Sequence, residues 1–293
     1  GARASALVDR DRRERVKGNL FHALLLLALA VALAGLAAIV AQALVTGAPA
    51  LRARLFTEPP SALPDRAGFR PALLGTVLLI LGVVAVVVPL GVGAAVYLDE
   101  LADRGRWWHR LIELAIQNLA GVPSIIYGIL GLAFIVRGPL DLGFVLAAGS
   151  LTLALLVLPT VIIAAREAIR AVPPSIREAS LALGATPWQT VSRQVLPAAL
   201  PGIVTGVILA ISRAIGETAP LLLVGAATFV TFDPGFFSAD GYAALPVQIF
   251  NYATRPQDEF RVLASAGVIV LLLVLLTMNA FAVWLRNRYE RQW

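Results

Sequence analysis

The chain has 293 residues and a formal net charge of +6; 59% of its residues are hydrophobic and only 14% are charged. This composition, with a mean hydropathy of +0.82, is typical of an integral membrane protein rather than a soluble domain. The lack of cysteine excludes disulfides, iron–sulfur clusters and thiolate zinc sites. The sequence contains no basic patch with interleaved aromatic residues, so its positive charge does not indicate nucleic-acid binding.

Long apolar runs predict an all-α membrane protein with six transmembrane helices. The runs lie near residues 20–46, 71–98, 109–136, 142–165, 198–227 and 261–286. The first run is too long for a cleaved signal peptide, so we expect a retained anchor helix. The segment that follows it is rich in proline and arginine and is predicted to be an outside loop.

The basic residues are distributed unevenly between the loops. With the N-terminus inside, most of the 24 lysines and arginines, Arg104 and Arg291 among them, fall on the side of both termini and of the loop after the fourth span. Because cytoplasmic loops carry an excess of basic residues, we expect both termini in the cytoplasm. The net charge is therefore interpreted as a topology signal.

The third span contains an unusual polar segment, QNLAGVPSIIYG, at residues 117–128. Pro123 lacks an N–H group and leaves the carbonyl of Leu119 without its helical partner. A helix broken at membrane depth is tolerated only against protein or a water-filled cavity. The alternative is a helix contact made by small residues, with Asn118 and Ser124 bonding across it.

Helix start and stop signals follow the fourth span. Ser175 with Glu178 three residues later has the pattern of a capping box, and Gly184 fits the end of that helix. Thr186 and Gln189 repeat the start signal around a proline. The sequence therefore predicts a structured helix–turn–helix knob between two membrane spans.

The knob resembles the cytoplasmic motif of binding-protein-dependent ABC importer permeases, which reads EAA, three residues, Gly, nine residues, Ile, any residue, Leu-Pro. At that spacing the chain has Glu178-Ala179-Ser180, Gly184, Gln194 and Leu196-Pro197. Ser180 and Gln194 depart from the motif. The resemblance implies that the knob couples to a partner ATPase through Ser175, Arg177, Glu178, Ala179 and Gly184. A helix cap alone also explains a glutamate at position 178.

The fifth span carries two opposite charges in the segment SRAIGETAP at residues 212–220. Arg213 and Glu217 are four residues apart and share a helix face. An arginine in a span costs at least about 2.5 kcal/mol, so it must be paired or face water. Either the two residues only neutralise each other, or Arg213 offers its fork of donors to an oxyanion in a pathway.

This segment and residues 119–128 both resemble the permeases of phosphate importers. The resemblance implies a substrate pathway for inorganic phosphate that includes Arg213, Glu217, Ser212, Thr218, Asn118 and Ser124.

An aromatic loop at residues 228–260 is the largest predicted outside segment. Its part LPVQIFNYA, residues 245–253, is predicted to lie flat at the membrane interface. The loop is interpreted either as an aromatic belt or as a contact for an extracytoplasmic binding protein.

Taken over residues 70–286, the resemblance implies the type I ABC importer permease fold, with five helices and a coupling loop at 166–198. Residues 1–69 form the N-terminus, first helix and outside loop, and residues 287–293 form a cytoplasmic tail. The implied partners are a sister permease, an ATPase homodimer and an extracytoplasmic phosphate-binding protein. No Gly-rich phosphate loop is present, so we expect no cofactor on this chain, and ATP with Mg on the ATPase.

Other functions compete with this interpretation. The same machine could carry sulfate or molybdate. An ion-coupled secondary transporter could use Glu217 as a proton carrier, but the knob and the lack of a visible inverted repeat argue against it. A membrane-embedded enzyme is disfavoured because no nucleophile, metal cluster or acid–base pair is evident in the sequence.

Overall fold

The computed structural model describes residues 2–103, 105–226, 229–238 and 241–289; Arg104 and Arg291 lie outside the described residues. The described chain is helical, with one isolated bridge between Ala226 and Tyr242. In chain order the helices are α1 (Ala2–Gly47), α2 (Arg54–Thr57), α3 (Arg70–Val96), α4 (Trp107–Ala120), α5 (Ser124–Leu130), α6 (Leu146–Arg170), α7 (Pro174–Ala182), α8 (Pro187–Thr190), α9 (Leu196–Gly216), α10 (Ala219–Leu223), α11 (Leu245–Ala253) and α12 (Asp258–Tyr289).

Five stretches of helix are long and apolar enough to cross a membrane, in agreement with five of the six predicted spans. They are Lys17–Ala50, Arg70–Leu101, Leu146–Arg170, Pro187–Gly216 and Asp258–Arg288. Helical turns of the π type continue α3 over Tyr97–Leu101 and join α8 to α9 over Val191–Val195.

The predicted third span is bent sharply. Helix α4 and the stretch Ser124–Val136, which contains α5, meet at 107°. The bend lies at Gly121–Pro123, where the proline removes one helical hydrogen bond. The segment is therefore a broken helix, as one of the two interpretations of its polar residues expected.

The fifth span is shorter than predicted, since α9 ends at Gly216 rather than near residue 227. Glu217 has an extended backbone, with φ −73° and ψ 125°, and α10 starts two residues later. Pro220 has no N–H to donate to the carbonyl of Gly216, which weakens the helix at this point. The prediction of one helix over 198–227 was wrong for this reason.

Helix α6 lies at the centre of the bundle, packed against α3 on one side and α9 on the other. It is the most deeply buried of the straight spans. Its inward residues, such as Leu153, Val157 and Val161, are almost fully buried and form the main apolar core. This packing fixes the ends of α3 and α9, where the polar groups described below lie.

Helix α11, predicted to lie flat at the membrane interface, packs one face into the protein and leaves Phe250 51% exposed. Leu245, Val247 and Tyr252 are inaccessible and pack towards α3 and α12. The hydroxyl of Tyr252 donates to the carbonyl of Gly68 at 3.1 Å. Burial raises the pKa of Tyr252 to about 12, so this hydroxyl stays a neutral donor at physiological pH.

Helix α1 is exposed along its apolar length and approaches the bundle near its C-terminal end. There Gly47 meets α12 so closely that a Cβ atom would lie 2.5 Å from the backbone of Ser265. A glycine is required at this contact because any side chain would push the two helices apart.

Candidate functional site

Two helix breaks pack against each other. The first separates α4 from α5 and the second separates α9 from α10, and α5 packs directly on α10. A Cβ atom at Gly128 would lie 2.7 Å from the Cα atom of Pro220. The absence of a side chain at Gly128 therefore allows the backbones that flank the two breaks to touch.

The break between α4 and α5 is closed by a tyrosine. The hydroxyl of Tyr127 donates to the carbonyl of Leu119 at 2.8 Å, and the amide of Val122 reaches the same carbonyl at 3.2 Å. This is the carbonyl that Pro123 leaves without a helical partner. Tyr127 itself is 6% exposed, and its hydroxyl stabilises the bent shape by joining α5 to the end of α4.

Arg213 and Glu217 flank the second break and form an ion pair. Nε of Arg213 lies 3.4 Å from Oε1 of Glu217, and the side chains are 43% and 17% exposed. Within the part of the chain that the structure describes, the terminal amino groups of Arg213 make no hydrogen bond. The pair therefore leaves donors of the guanidinium open towards the surface that the chain exposes.

The other pathway residues predicted from the sequence occupy different positions. The Oγ atom of Ser212 lies 2.8 Å from both the carbonyl of Ile208 and Oδ1 of Asn279, so it faces α12. Thr218 precedes α10 and is half-buried, as is Ser124 at the start of α5, whereas Asn118 is exposed on α4. The structure thus brings Arg213, Glu217 and the two breaks together and turns Ser212 away from them.

Helices α7 and α8 form the predicted hairpin on the surface. Gly184 turns the chain with a φ of +84°, a conformation that favours glycine. The side chain of Thr186 accepts from the amide of Gln189 at 3.2 Å, and the Gln189 side chain accepts from the amide of Thr186 at 2.9 Å. This second capping box is confirmed and makes the hairpin a defined element.

The first predicted capping box is absent. Helix α7 begins at Pro174 with Pro173 as its N-cap, and Ser175 lies inside the helix. Proline at the first helical position sets the start of α7 one residue before the serine. Glu178 and Ala179 are exposed in the middle of α7. Helix capping therefore does not explain Glu178.

Arg177 points inward and attaches the hairpin to the bundle. Its guanidinium donates to Glu100 at 2.6 Å and to the carbonyls of Val172 and Ile169 at 2.7 and 2.9 Å. Arg177 is thus an anchor, whereas the neighbouring Glu178 is free to contact another surface.

The outer side of the hairpin is unusually apolar. Leu183 is 90% exposed and Trp188 is 58% exposed. A hollow of about 420 Å³ lies beside them, lined by Ala179, Ser180 and Gln189 among others. An exposed apolar surface next to a charged residue is typical of a protein-binding site.

Charged residues that the sequence analysis did not single out lie beneath the hairpin. Asp99 is buried between Arg166 and Arg170, and Glu113 contacts the same arginines.

Among the described residues, no three histidine, cysteine, aspartate or glutamate side chains are grouped so that they could hold a metal ion.

Comparison with known proteins gives consistent matches. The family described as binding-protein-dependent transport system inner membrane component matches residues 87–291. The chain is 38% identical over 235 residues to the phosphate transport system permease protein PstA of Yersinia pestis, covering 78% of this chain and 76% of that protein. It is 40% identical over 230 residues to PstA 1 of Mycobacterium tuberculosis (strain ATCC 25618 / H37Rv), covering 76% and 72%.

Solved structures of two transporters have a similar fold. A chain of the MetNI methionine ABC transporter, described in inward-facing conformations, superposes with a TM-score of 0.56 at 19% identity and covers 75% of this chain and 94% of that one. A chain of a bacterial ABC transporter involved in the import of alginate gives a TM-score of 0.57 at 16% identity, covering 76% and 80%. At these identities the similarity concerns the fold alone.

Proposed function

The chain belongs to the family of inner-membrane components of binding-protein-dependent transport systems, and we propose that it forms half of the passage for inorganic phosphate in an ATP-driven importer. The observation that carries the proposal is the Arg213–Glu217 pair at a helix break, in a chain 38% identical to a phosphate permease. The protein is a transport subunit, and ATP hydrolysis belongs to a separate partner.

The passage would use the open donors of Arg213. A guanidinium keeps its charge and presents a planar fork that matches two oxygens of a tetrahedral anion. Glu217 holds the guanidinium in place when no anion is bound. Thr218, Ser124 and Asn118 lie near the two breaks in sequence and would add hydrogen bonds to a passing anion, while Ser212 would hold α9 against α12.

The hairpin would receive the ATPase. Exposed Glu178, Ala179 and Leu183, with the turn at Gly184, form the contact surface, and Ser175 lies on the first turn of the same helix. Arg177 would transmit force because it fixes α7 to the end of α3. The excess of basic residues on this side supports a cytoplasmic position for the hairpin and both termini.

The remaining partners follow from the same proposal. A sister permease completes the passage, two ATPase subunits bind ATP and Mg, and an extracytoplasmic phosphate-binding protein delivers the anion to the opposite end.

Reconstitution tests the function directly. The chain, a sister permease, the ATPase and the binding protein are placed in vesicles, and uptake of labelled phosphate, sulfate and molybdate is measured with and without ATP. We expect ATP-dependent phosphate uptake. Uptake of sulfate or molybdate instead would identify another oxyanion, and uptake driven by an ion gradient without ATP would indicate a secondary transporter.

Substitution of Arg213 tests the pathway in the same vesicles. Arg213→Gln should lower uptake at least about tenfold while assembly is retained, because a hydrogen bond to a charged group is worth about 1.5–3 kcal/mol. Arg213→Lys should recover only part, since lysine lacks the fork. The control is Arg106→Gln, because Arg106 is also exposed and ion-paired but precedes α4, far from Arg213 in the sequence. Normal uptake by Arg213→Gln would make Arg213 a structural counter-ion.

A further inference from the structure

A network of charged side chains joins three helices beneath the hairpin. The buried carboxylate of Asp99, at the end of α3, accepts hydrogen bonds from Nε and Nη2 of Arg166 at 3.1 and 3.2 Å. Arg170, one turn along α6, donates to the same carboxylate at 2.9 Å. Arg166 also donates to Glu113 of α4 at 2.6 Å. A single set of ion pairs therefore holds α3, α4 and α6 together.

The hairpin joins this network through the neighbour of Asp99. Glu100 pairs with Arg177 of α7 at 2.6 Å, and both acidic residues lie in the π-helical turn Tyr97–Leu101. Because adjacent residues share a peptide unit, a movement of α7 that displaces Glu100 also displaces Asp99. A continuous series of contacts thus runs from α7 to Glu113 on α4, the helix that ends at the first break.

We propose that this network transmits movement of the hairpin to the broken helix, with Glu113 as the positioning residue on α4. Among the described residues, the contacts from α7 to α4 run through Asp99, Glu100, Glu113, Arg166, Arg170 and Arg177. The inference rests on the proposed function, since it takes the hairpin to be the point where the ATPase acts.

Stability alone does not explain these charges. A buried ion pair carries a desolvation cost, and apolar residues of similar volume often hold helices together as well or better. Ion pairs differ from apolar contacts in that they can exchange partners. Glu113 is 29% exposed and reaches Arg166 at 2.6 Å and Arg170 at 3.3 Å. It can therefore shift between two guanidinium groups without losing a partner, as a change in the position of α4 would require.

The test compares ATP hydrolysis with uptake in the reconstituted complex. Glu113→Gln keeps the shape of the side chain and removes its charge. We expect the complex to assemble and to retain ATPase activity stimulated by the binding protein, while phosphate transported per ATP falls about tenfold, within the usual range of coupling between sites. Glu113→Asp should recover most of the ratio. Equal losses of ATPase activity and uptake, or no loss of either, would overturn the inference.

A matched control, Glu167, lies on α6 between Arg166 and Arg170. Glu167 pairs with Arg170 at 3.6 Å but is 68% exposed, so it contacts a network arginine from outside. Glu167→Gln should leave the ratio of phosphate to ATP unchanged. A ratio that falls as far as in Glu113→Gln would show that any charge change near Arg170 has this effect and would overturn the role of Glu113.

A double substitution tests whether the contacts act in series. Glu100 and Glu113 pair with different arginines, so independent effects would multiply. If the network is a single series of contacts, the double variant Glu100→Gln/Glu113→Gln should lower phosphate transported per ATP no further than Glu113→Gln alone. Effects that multiply would contradict transmission through this series. If Glu113→Gln fails to assemble, Glu100→Gln alone is compared with the wild-type complex by the same ratio of phosphate transported per ATP. Failure of the wild-type complex to transport phosphate would count against the proposed function, whereas an unchanged ratio in the variants would count only against the network.

Discussion

We propose that Glu217 limits which anions can approach Arg213. At neutral pH, phosphate carries a proton on at least one oxygen, whereas sulfate carries none. An ionised carboxylate only accepts hydrogen bonds, so it can accept one from protonated phosphate and repels a fully deprotonated anion. Glu217 lies 3.4 Å from Arg213 and is mostly buried, which places this acceptor beside the donors.

Selectivity should therefore depend on the charge of Glu217. Glu217→Gln is expected to narrow the preference for phosphate over sulfate by up to about 1.5–3 kcal/mol, the value of a hydrogen bond to a charged group. The measurement is competition between labelled phosphate and sulfate in vesicles, with wild-type binding protein in both arms. An unchanged preference would assign the discrimination to the binding protein alone.

The sequence predicted the residues of this site better than their arrangement. Pro123 and the carbonyl of Leu119 were identified from spacing, because a missing N–H is a local property. The donor that replaces it, Tyr127, could not be predicted, since its reach depends on the bend itself. The pairing of Arg213 with Glu217 was predicted correctly. Their position on one helix face was not, because α9 ends before Glu217.

At the scale of the element, Glu178 has no structural role inside the hairpin. No capping hydrogen bond is made at the start of α7, and Glu178 is exposed in the middle of the helix. A substitution there should leave the hairpin folded, since α8 has its own capping box and Arg177 anchors α7. A functional effect of such a substitution would therefore report on contact with a partner.

Charge reversal at this position should uncouple the importer. Glu178→Lys is expected to abolish uptake in an assembled complex while ATP hydrolysis continues, because a lysine would repel or misplace a contact made by the carboxylate. Glu178→Gln, which keeps the shape, should have a smaller effect. ATP hydrolysis and uptake are measured side by side; normal uptake by the lysine variant would exclude Glu178 from docking.

The elements show where local signals suffice. Gly184, Thr186 and Gln189 fixed the turn and the second start of the hairpin, because each acts within a few residues. Ser175 failed as a cap because two prolines precede it and the second takes the first helical position. The network around Asp99 carried no local signal, since Arg166 is 67 residues away in the chain.

At the scale of the whole molecule, the hairpin and the aromatic segment lie at different ends of the bundle. The hairpin and the network of Asp99 lie at one end, and α11 with the aromatic segment lies at the other, with α6 packed between them. Apolar run lengths predicted most spans, because burial in a membrane imposes a length on each helix. The packing of α11 into the bundle depended on tertiary contacts that periodicity does not record.

The end of the bundle opposite the hairpin offers aromatic side chains to a partner. Phe237 is 78% exposed, and Phe250 is 51% exposed on α11. Tyr252, on the same helix, is inaccessible and cannot contact another protein. We propose that the exposed set contacts the extracytoplasmic binding protein, because a soluble partner must meet the permease on the side away from the ATPase.

Photo-cross-linking distinguishes this contact from a membrane belt. A photoreactive phenylalanine analogue at Phe237 or Phe250 should cross-link to the binding protein in the assembled complex, and more strongly when phosphate is present. The same analogue at Tyr252 is the matched control and should give no such product, since its ring packs between Phe69 and Phe260 at centroid distances of 5.3 and 5.2 Å. Products confined to lipid or to the membrane subunits at Phe237 and Phe250 would assign both residues to the membrane interface, since a docked binding protein would bring its own side chains within reach of an exposed ring.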